Sequence, residues 1–250
     1  MSRSFIFKGK KAVIFDMDGT LIDSVGIWNA ADMEILSRYG RRGVHGLTEE
    51  QIQRQRDELL RIYKAEPAPY ERYFAELKEK YDFSISVTDA IRARYDFAHR
   101  LLEDSVDYKP AAPELLRELK RRGFILAIAS TTKRSNMEVY RKRNRNIMEK
   151  ADIDDTFSLV YTREDVENMK PDPEIYVKTM ASLGIAAEEC LIFEDSLIGA
   201  EAARASGAEV AVIYDKYSDG DRERINELAD HILEDYEKAL KLLVREVDRP

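Results

Sequence analysis

Hydrophobic positions along the chain fall into two patterns. From residue 106 to residue 250, short apolar or β-branched runs alternate with segments of helical periodicity. The runs are FILAIAS (124–130), FSLVYT (157–162), CLIFED (190–195) and AEVAVIY (208–214). An earlier run, AVIF, occupies Ala12–Phe15. The segments between them are APELLRELKRRG, SNMEVYRKRNRNIMEK, PEIYVKTMASLG and SLIGAEAARASG. Short strands alternating with amphipathic helices predict an α/β fold, a parallel sheet with helices on both faces. Gly123, Gly184 and Gly207 stand where helices should stop.

Between Val25 and Ser105 the strand-like runs vanish. IWNAADMEILSRYG, TEEQIQRQRDELLRIYK, PYERYFAELKEKY and SVTDAIRARYDFAHRLLEDS all read as helices. Tyr73, Phe74, Leu77 and Tyr81 recur at helical spacing and predict a packing stripe. An all-helical block placed after the first strand predicts an inserted cap, residues 25–105, in a core formed by residues 1–24 and 106–250. The expected hinges lie near Asp23–Val25 and near Asp107–Pro110, where DYKPAAP interrupts helix continuity.

Three of the apolar runs end in reactive side chains. AVIF is followed by Asp16 and Asp18, ILAIA by Ser130 and Thr131, and CLIF by Glu194 and Asp195. The carboxyl ends of the strands of a parallel sheet share one edge, where ligands bind. Four carboxylates there, without histidine or cysteine, suit a hard cation such as Mg²⁺. The cation also explains why two adjacent aspartates are tolerated, since like charges that close raise each other's pKa. Lys170, in NMKPDPEIY, supplies a positive charge just ahead of a helix that Pro173 can open. A cation, a lysine, hydroxyls and a nucleophilic carboxylate together make a site for a phosphoryl group.

Taken singly, each of these residues has a plainer explanation. Two aspartates after a strand can cap a turn, Ser130 can cap a helix, and an isolated lysine belongs on the surface. Their convergence on one sheet edge favours chemistry. His45, His99 and His231 are scattered away from these motifs and read as structural or surface residues. Arg141, Lys142, Arg143 and Arg145 read as one solvated helix face.

The chain resembles the haloacid-dehalogenase superfamily, in its helical-cap branch of phosphoglycolate phosphatases and β-phosphoglucomutases. Four signatures carry the resemblance: DMDGT (16–20), ASTTK (129–133), KPDPEIY (170–176) and FEDSLIGAEAARASG (193–207). The resemblance implies a Rossmann-like core and a phosphatase acting on a small phosphorylated metabolite. It implies that Asp16 attacks phosphorus and becomes an aspartyl phosphate, and that Asp18 protonates the leaving oxygen and later activates water. Ser130, Thr131 and Lys170 are implied to hold the phosphate, with Gly19 and Thr20 shaping the loop over it and Lys133 at the rim. Mg²⁺ is implied to bind through Asp16, the Asp18 carbonyl and Asp195, with Glu194 beside them. True dehalogenases lack the second aspartate and the metal. β-Phosphoglucomutases carry a cap histidine twelve residues after the nucleophile, where this chain has Trp28; a sugar-phosphate mutase is therefore the lesser alternative. Arg41, Arg42, Lys64 and Tyr70 in the cap loops are candidates for substrate selection by a cap that closes over the site.

Composition narrows the picture further. The 250 residues carry a net charge of −8, which argues against nucleic acid as a partner. The lone cysteine, Cys190, begins an apolar run and reads as a buried small hydrophobe; its solitude fits a reducing compartment. No apolar run approaches the roughly 20 residues that span a membrane, and the N-terminal segment lacks a signal-peptide core. The expectation is a cytoplasmic monomer without a membrane partner.

Overall fold

The computed structural model describes residues 6–63 and 67–247. The chain divides into two compact units, Met1–Ser24 with Glu103–Pro250, and Val25–Leu102.

The first unit is built on a six-stranded sheet of order β3-β2-β1-β4-β5-β6, parallel at every pairing. Its strands are β1 (Ala12–Phe15), β2 (Ile125–Ala129), β3 (Leu159–Tyr161), β4 (Cys190–Glu194), β5 (Glu209–Ile213) and β6 (His231–Leu233). Strand β1 is central, paired with β2 on one side and β4 on the other. In β1, β2, β4 and β5 the residues of both sheet faces are largely buried, which is why these strands read as continuous apolar runs instead of alternating ones. One face carries Ala12, Ile14, Ala127, Ala129, Ile192 and Val210, packed with Ile175, Tyr176, Met180, Ala200 and Ala203. Phe15, Phe193 and Tyr236 pack together, with Phe15 and Phe193 stacked at 4.9 Å.

The second unit holds helices α1 (Val25–Tyr39), α2 (Glu49–Ile62), α3 (Pro69–Tyr81) and α4 (Val87–Asp104), the last running on into the first unit. A capping box of Thr48 and Gln51 opens α2. The stripe Tyr73, Phe74, Leu77 and Tyr81 is buried with Ile35, Leu36 and Ile52. A buried ionic cluster accompanies this core. Asp32 accepts hydrogen bonds from Arg56 Nη1 at 3.0 Å, from Arg94 Nε and from the Tyr73 hydroxyl at 3.2 Å. Two guanidinium groups thereby compensate a carboxylate that water does not reach.

The remaining helices belong to the first unit. They are α5 (Ala112–Arg121), α6 (Arg134–Lys142), α7 (Arg145–Ala151), α8 (Ile153–Thr156), α9 (Glu174–Leu183), α10 (Leu197–Ala205), α11 (Arg222–Leu228) and α12 (Tyr236–Val247). The sequence predicts one helix across 135–150, and the structure breaks it into α6 and α7. Asn144 causes the break: its side chain accepts from the Ile147 N–H at 2.9 Å and donates to the Val106 carbonyl at 2.9 Å. The basic run is accordingly divided between two helices, although Lys142, Arg143 and Arg145 are exposed as expected. Arg141 pairs with Glu138 and Asp154, and Lys142 pairs with Glu138. Pro173 stands one residue before α9, at its N-cap position. Among the described residues, no helix is long and apolar enough to cross a membrane.

Candidate active site

Strand register sets the frame of the site. Phe15 lies opposite Ile128 of β2 and Phe193 of β4. The residues that follow, Asp16, Ser130, Glu194 and Asp195, therefore emerge at one edge. The Asp16 N–H still donates to the Phe193 carbonyl at 3.0 Å, so the sheet fixes its backbone.

The centre of the site is a lysine shared by two carboxylates. Lys170 Nζ donates to Asp16 Oδ1 and to Glu194 Oε1, each at 2.6 Å. All three side chains are buried. The Tyr176 hydroxyl also donates to Glu194 Oε1, and the Tyr176 ring lies under the ammonium at 4.7 Å. The loop that carries Lys170 is tied to α9, because Glu174 accepts from the N–H groups of Glu167 and Asn168, each at 2.8 Å.

Asp16 and Asp18 have different surroundings. Burial pushes the Asp16 carboxyl up to about 7; Lys170 opposes this and the nearby Glu194 charge adds to it. Burial, then Glu194 and Asp16, hold Asp195 well above the usual carboxylate range. Burial works against the Lys170 charge, but Asp16 and Glu194 outweigh it and keep its pKa above the ordinary lysine value. Asp18 is half-buried and receives two hydroxyl donors on one oxygen, Oδ1: Ser24 Oγ at 2.6 Å and the Tyr140 hydroxyl at 2.8 Å. Gly19 follows with φ +80°, a conformation that lets the Met17 carbonyl accept from both Leu21 and Ile22 in a tight turn.

Thr20 follows Gly19 in the same turn. Its buried hydroxyl donates to Asp195 Oδ1 at 2.7 Å, so the side chain holds a carboxylate. Ser130 Oγ accepts from the Thr132 N–H at 3.3 Å, with Thr131 half-buried beside it, and Lys133 is the exposed residue that opens α6. Ser130 is thus not the helix cap.

Oxygens of Asp16, Glu194 and Asp195 lie within 4.8 Å of one another. Three buried carboxylates face a single ammonium, so the site carries excess negative charge. That donor set, all oxygen, fits a hard divalent cation. Glu194 is the most committed of the three. One of its oxygens takes Lys170 and Tyr176, and the other accepts from the Asp195 N–H at 3.2 Å.

The second unit's candidates are scattered. Arg41 is exposed, and its backbone N–H donates to the Tyr81 carbonyl at 2.9 Å. Tyr70 lies beside the Arg94 guanidinium at 5.5 Å, with Trp28 closer at 4.7 Å. Lys64 lies outside the described residues. Sequence reasoning missed Ser24, Tyr140, Tyr176 and Gly199. Tyr140 and Tyr176 sit at positions of helical periodicity that read as core, and nothing local marks their hydroxyls. Gly199 could have been found, because a glycine in the first turns of a helix disfavours that helix unless something needs the space.

Comparison with known proteins gives the family of the chain. The profile of the haloacid dehalogenase-like hydrolases matches residues 13–213. A phosphorylated carbohydrates phosphatase of Thermotoga maritima is 28% identical over 200 residues, covering 80% of this chain and 82% of that protein. Hexitol phosphatase A of Escherichia coli is 28% identical over 218 residues, covering 87% and 88%. The crystal structure of a Thermotoga maritima protein assigned as a β-phosphoglucomutase superposes with a TM-score of 0.74 at 26% identity, covering 95% of this chain and 99% of that one.

Proposed function

Because this chain belongs to the haloacid dehalogenase-like hydrolase family, we propose that it is a Mg²⁺-dependent phosphatase that cleaves the phosphate monoester of a small phosphorylated carbohydrate or polyol. The observation that carries the reading is the Asp16–Lys170–Glu194 triad at the sheet edge, with Asp195 alongside. The sugar-phosphate phosphatases among the relatives support the substrate class.

Each residue has a defined task. Asp16 attacks phosphorus through its carboxylate, forming an aspartyl phosphate as the bond to the leaving oxygen breaks. Lys170 has three N–H donors, of which two go to Asp16 and Glu194, leaving a third for a phosphate oxygen. Ser130 offers its hydroxyl from the neighbouring strand end, and Thr131 follows it. Asp18 gives a proton to the leaving oxygen, then takes one from the water that hydrolyses the aspartyl phosphate. Asp16, Asp195 and the Asp18 carbonyl would hold Mg²⁺, which neutralises charge on the phosphoryl group and lets two anions approach.

Mutase activity is the other reading of this family, and Trp28 stands where its cap histidine is expected. The test is a panel of hexose, pentose and hexitol phosphates assayed with Mg²⁺ for released inorganic phosphate. Release from members of this panel is the expected result. Isomerisation that requires a sugar bisphosphate, without net phosphate release, would establish the mutase instead.

A further inference from the structure

We propose that Tyr140 is a positioning residue for Asp18, and that with Ser24 it confines the proton exchanged in catalysis to Asp18 Oδ2. The inference rests on the acid–base role of Asp18 given above. Both hydroxyls converge on the same oxygen, Ser24 Oγ at 2.6 Å and the Tyr140 hydroxyl at 2.8 Å from Oδ1. Among the described residues, no hydrogen bond reaches Oδ2.

A carboxylate oxygen has two lone-pair sites in the plane of the group. Two donors fill those of Oδ1. A proton placed on Oδ1 would have to displace one of them, whereas Oδ2 accepts a proton at no such cost. The carboxyl group is thereby desymmetrised: one oxygen anchors, the other reacts. When the leaving oxygen departs from phosphorus, the proton moves from Oδ2 to that oxygen. When water attacks the aspartyl phosphate, a water proton returns to Oδ2 and Asp16 regains its free carboxylate. Tyr140 and Ser24 keep their own protons throughout.

Both anchors are buried. Ser24 lies on the segment just before α1, while Tyr140 is fully buried on α6 between Val139 and the α6–α7 break. Helix α6 is itself fixed at its far end by Asn144, which bonds Val106. Tyr140, carried on a helix, and Ser24 together fix the plane of the Asp18 carboxyl group. The phenol serves no apolar purpose that phenylalanine could not serve equally well, since its ring is buried and its oxygen has Asp18 as the acceptor.

The test is Tyr140→Phe, which keeps the ring and deletes the donor, compared with Ser24→Ala and the double variant. Two substrates separate positioning from simple damage. An alkyl phosphate needs the proton in the first step, whereas p-nitrophenyl phosphate does not. Tyr140→Phe should lower kcat on the alkyl phosphate about tenfold with KM within twofold. On p-nitrophenyl phosphate, the first-turnover burst should keep its rate within twofold while later turnover slows. The double variant should be slower than either single variant on the alkyl phosphate. An equal fall in burst rate and alkyl kcat, or a rise in KM with kcat unchanged, would overturn the proposal. Wild-type kcat in Tyr140→Phe on both substrates would overturn it too. Retained phosphatase activity in Asp16→Asn would instead refute the underlying mechanism, so the two failures are distinguishable.

Discussion

The Glu194 carboxylate fills the space that a β-carbon on Gly199 would need: an atom built there would lie 2.0 Å from Cδ and Oε2 and 2.1 Å from Oε1. The first turns of α10 thus press against the group that holds Lys170. Gly199→Ala sets two effects against each other. Alanine favours a helix over glycine by up to about 1 kcal/mol. The displaced carboxylate loses charge-assisted bonds to Lys170 and Tyr176, each worth roughly 1.5–3 kcal/mol. Loss outweighs gain, so the variant should be less stable by about 2 kcal/mol or more in urea unfolding. It should also bind phosphate less well, because Lys170 loses its second anchor. A variant more stable than wild type with unchanged KM would show that the carboxylate yields freely.

Removing the proposed divalent cation should abolish turnover. Asp16, Glu194 and Asp195 present three buried carboxylates to one lysine, and a phosphate would add further negative charge. Chelation followed by Mg²⁺ should take activity to near zero and back. A second readout does not depend on turnover. A ligand at 100 times its dissociation constant stabilises the folded state by about 2.7 kcal/mol, so Mg²⁺ should raise the midpoint of thermal unfolding by several degrees. That rise should shrink in Asp195→Asn. Full activity in chelator, or an equal shift in the variant, would remove the metal from this site.

Cys190 provides a pH-dependent probe of the sheet. It is buried in β4, and burial pushes its thiol from the ordinary 9.0 up to about 11. Lys10 pulls the other way and is the weaker influence. The thiolate is the reactive form, so the native protein should resist alkylation at pH 8 while the urea-unfolded chain reacts fast. The stability consequence has a definite sign. Between pH 9 and about 11 the folded state holds more protons at this site than the unfolded state, so this group lowers stability as pH rises through that window. Cys190→Ala should remove that part of the decline. Rapid native labelling at pH 8 would mean that β4 opens locally.

What the sequence discloses depends on how local the cause is. Strands β1, β2, β4 and β5 are legible because both their faces are buried, which leaves unbroken apolar runs, and because their polar ends stand out against those runs. Strand β6 is not legible: it is three residues long, at the sheet edge, with Ile232 51% exposed. The break between α6 and α7 depends on Asn144 reaching Val106, 38 residues away, and no neighbouring residue announces it. The same distinction divides the site. Asp16, Asp18, Ser130, Lys170, Glu194 and Asp195 are chemical types placed at strand ends or before a helix, so topology alone gathers them. Tyr140 and Tyr176 are aromatic residues on helix faces that pack inward, and only the folded chain aims their hydroxyls at carboxylates. Thr20 lies in the expected loop, and only the folded chain aims its hydroxyl at Asp195 Oδ1.

The two aspartates that end β1 should fail in different ways when neutralised. Asp16→Asn replaces the proposed nucleophile with a poor one, so it should stop catalysis on every substrate. Asp18→Asn leaves Asp16 able to attack, and its backbone carbonyl survives. What it loses is the proton carried on the side chain. That matters for an alkoxide and much less for a stable leaving group such as p-nitrophenolate. The same proton site is needed afterwards, because water must be activated to hydrolyse the aspartyl phosphate. Asp18→Asn should therefore release about one p-nitrophenolate per active site in a rapid burst and then turn over slowly, the accumulation expected of nucleophilic catalysis with an impaired second step. Mass spectrometry of the acid-quenched protein should find phosphate on the peptide containing Asp16. Asp16→Asn should give neither burst nor adduct. If both variants were silent in rapid mixing while Mg²⁺ binding persisted, Asp18 would be required for the first step as well, and the division of labour between the two residues would be wrong.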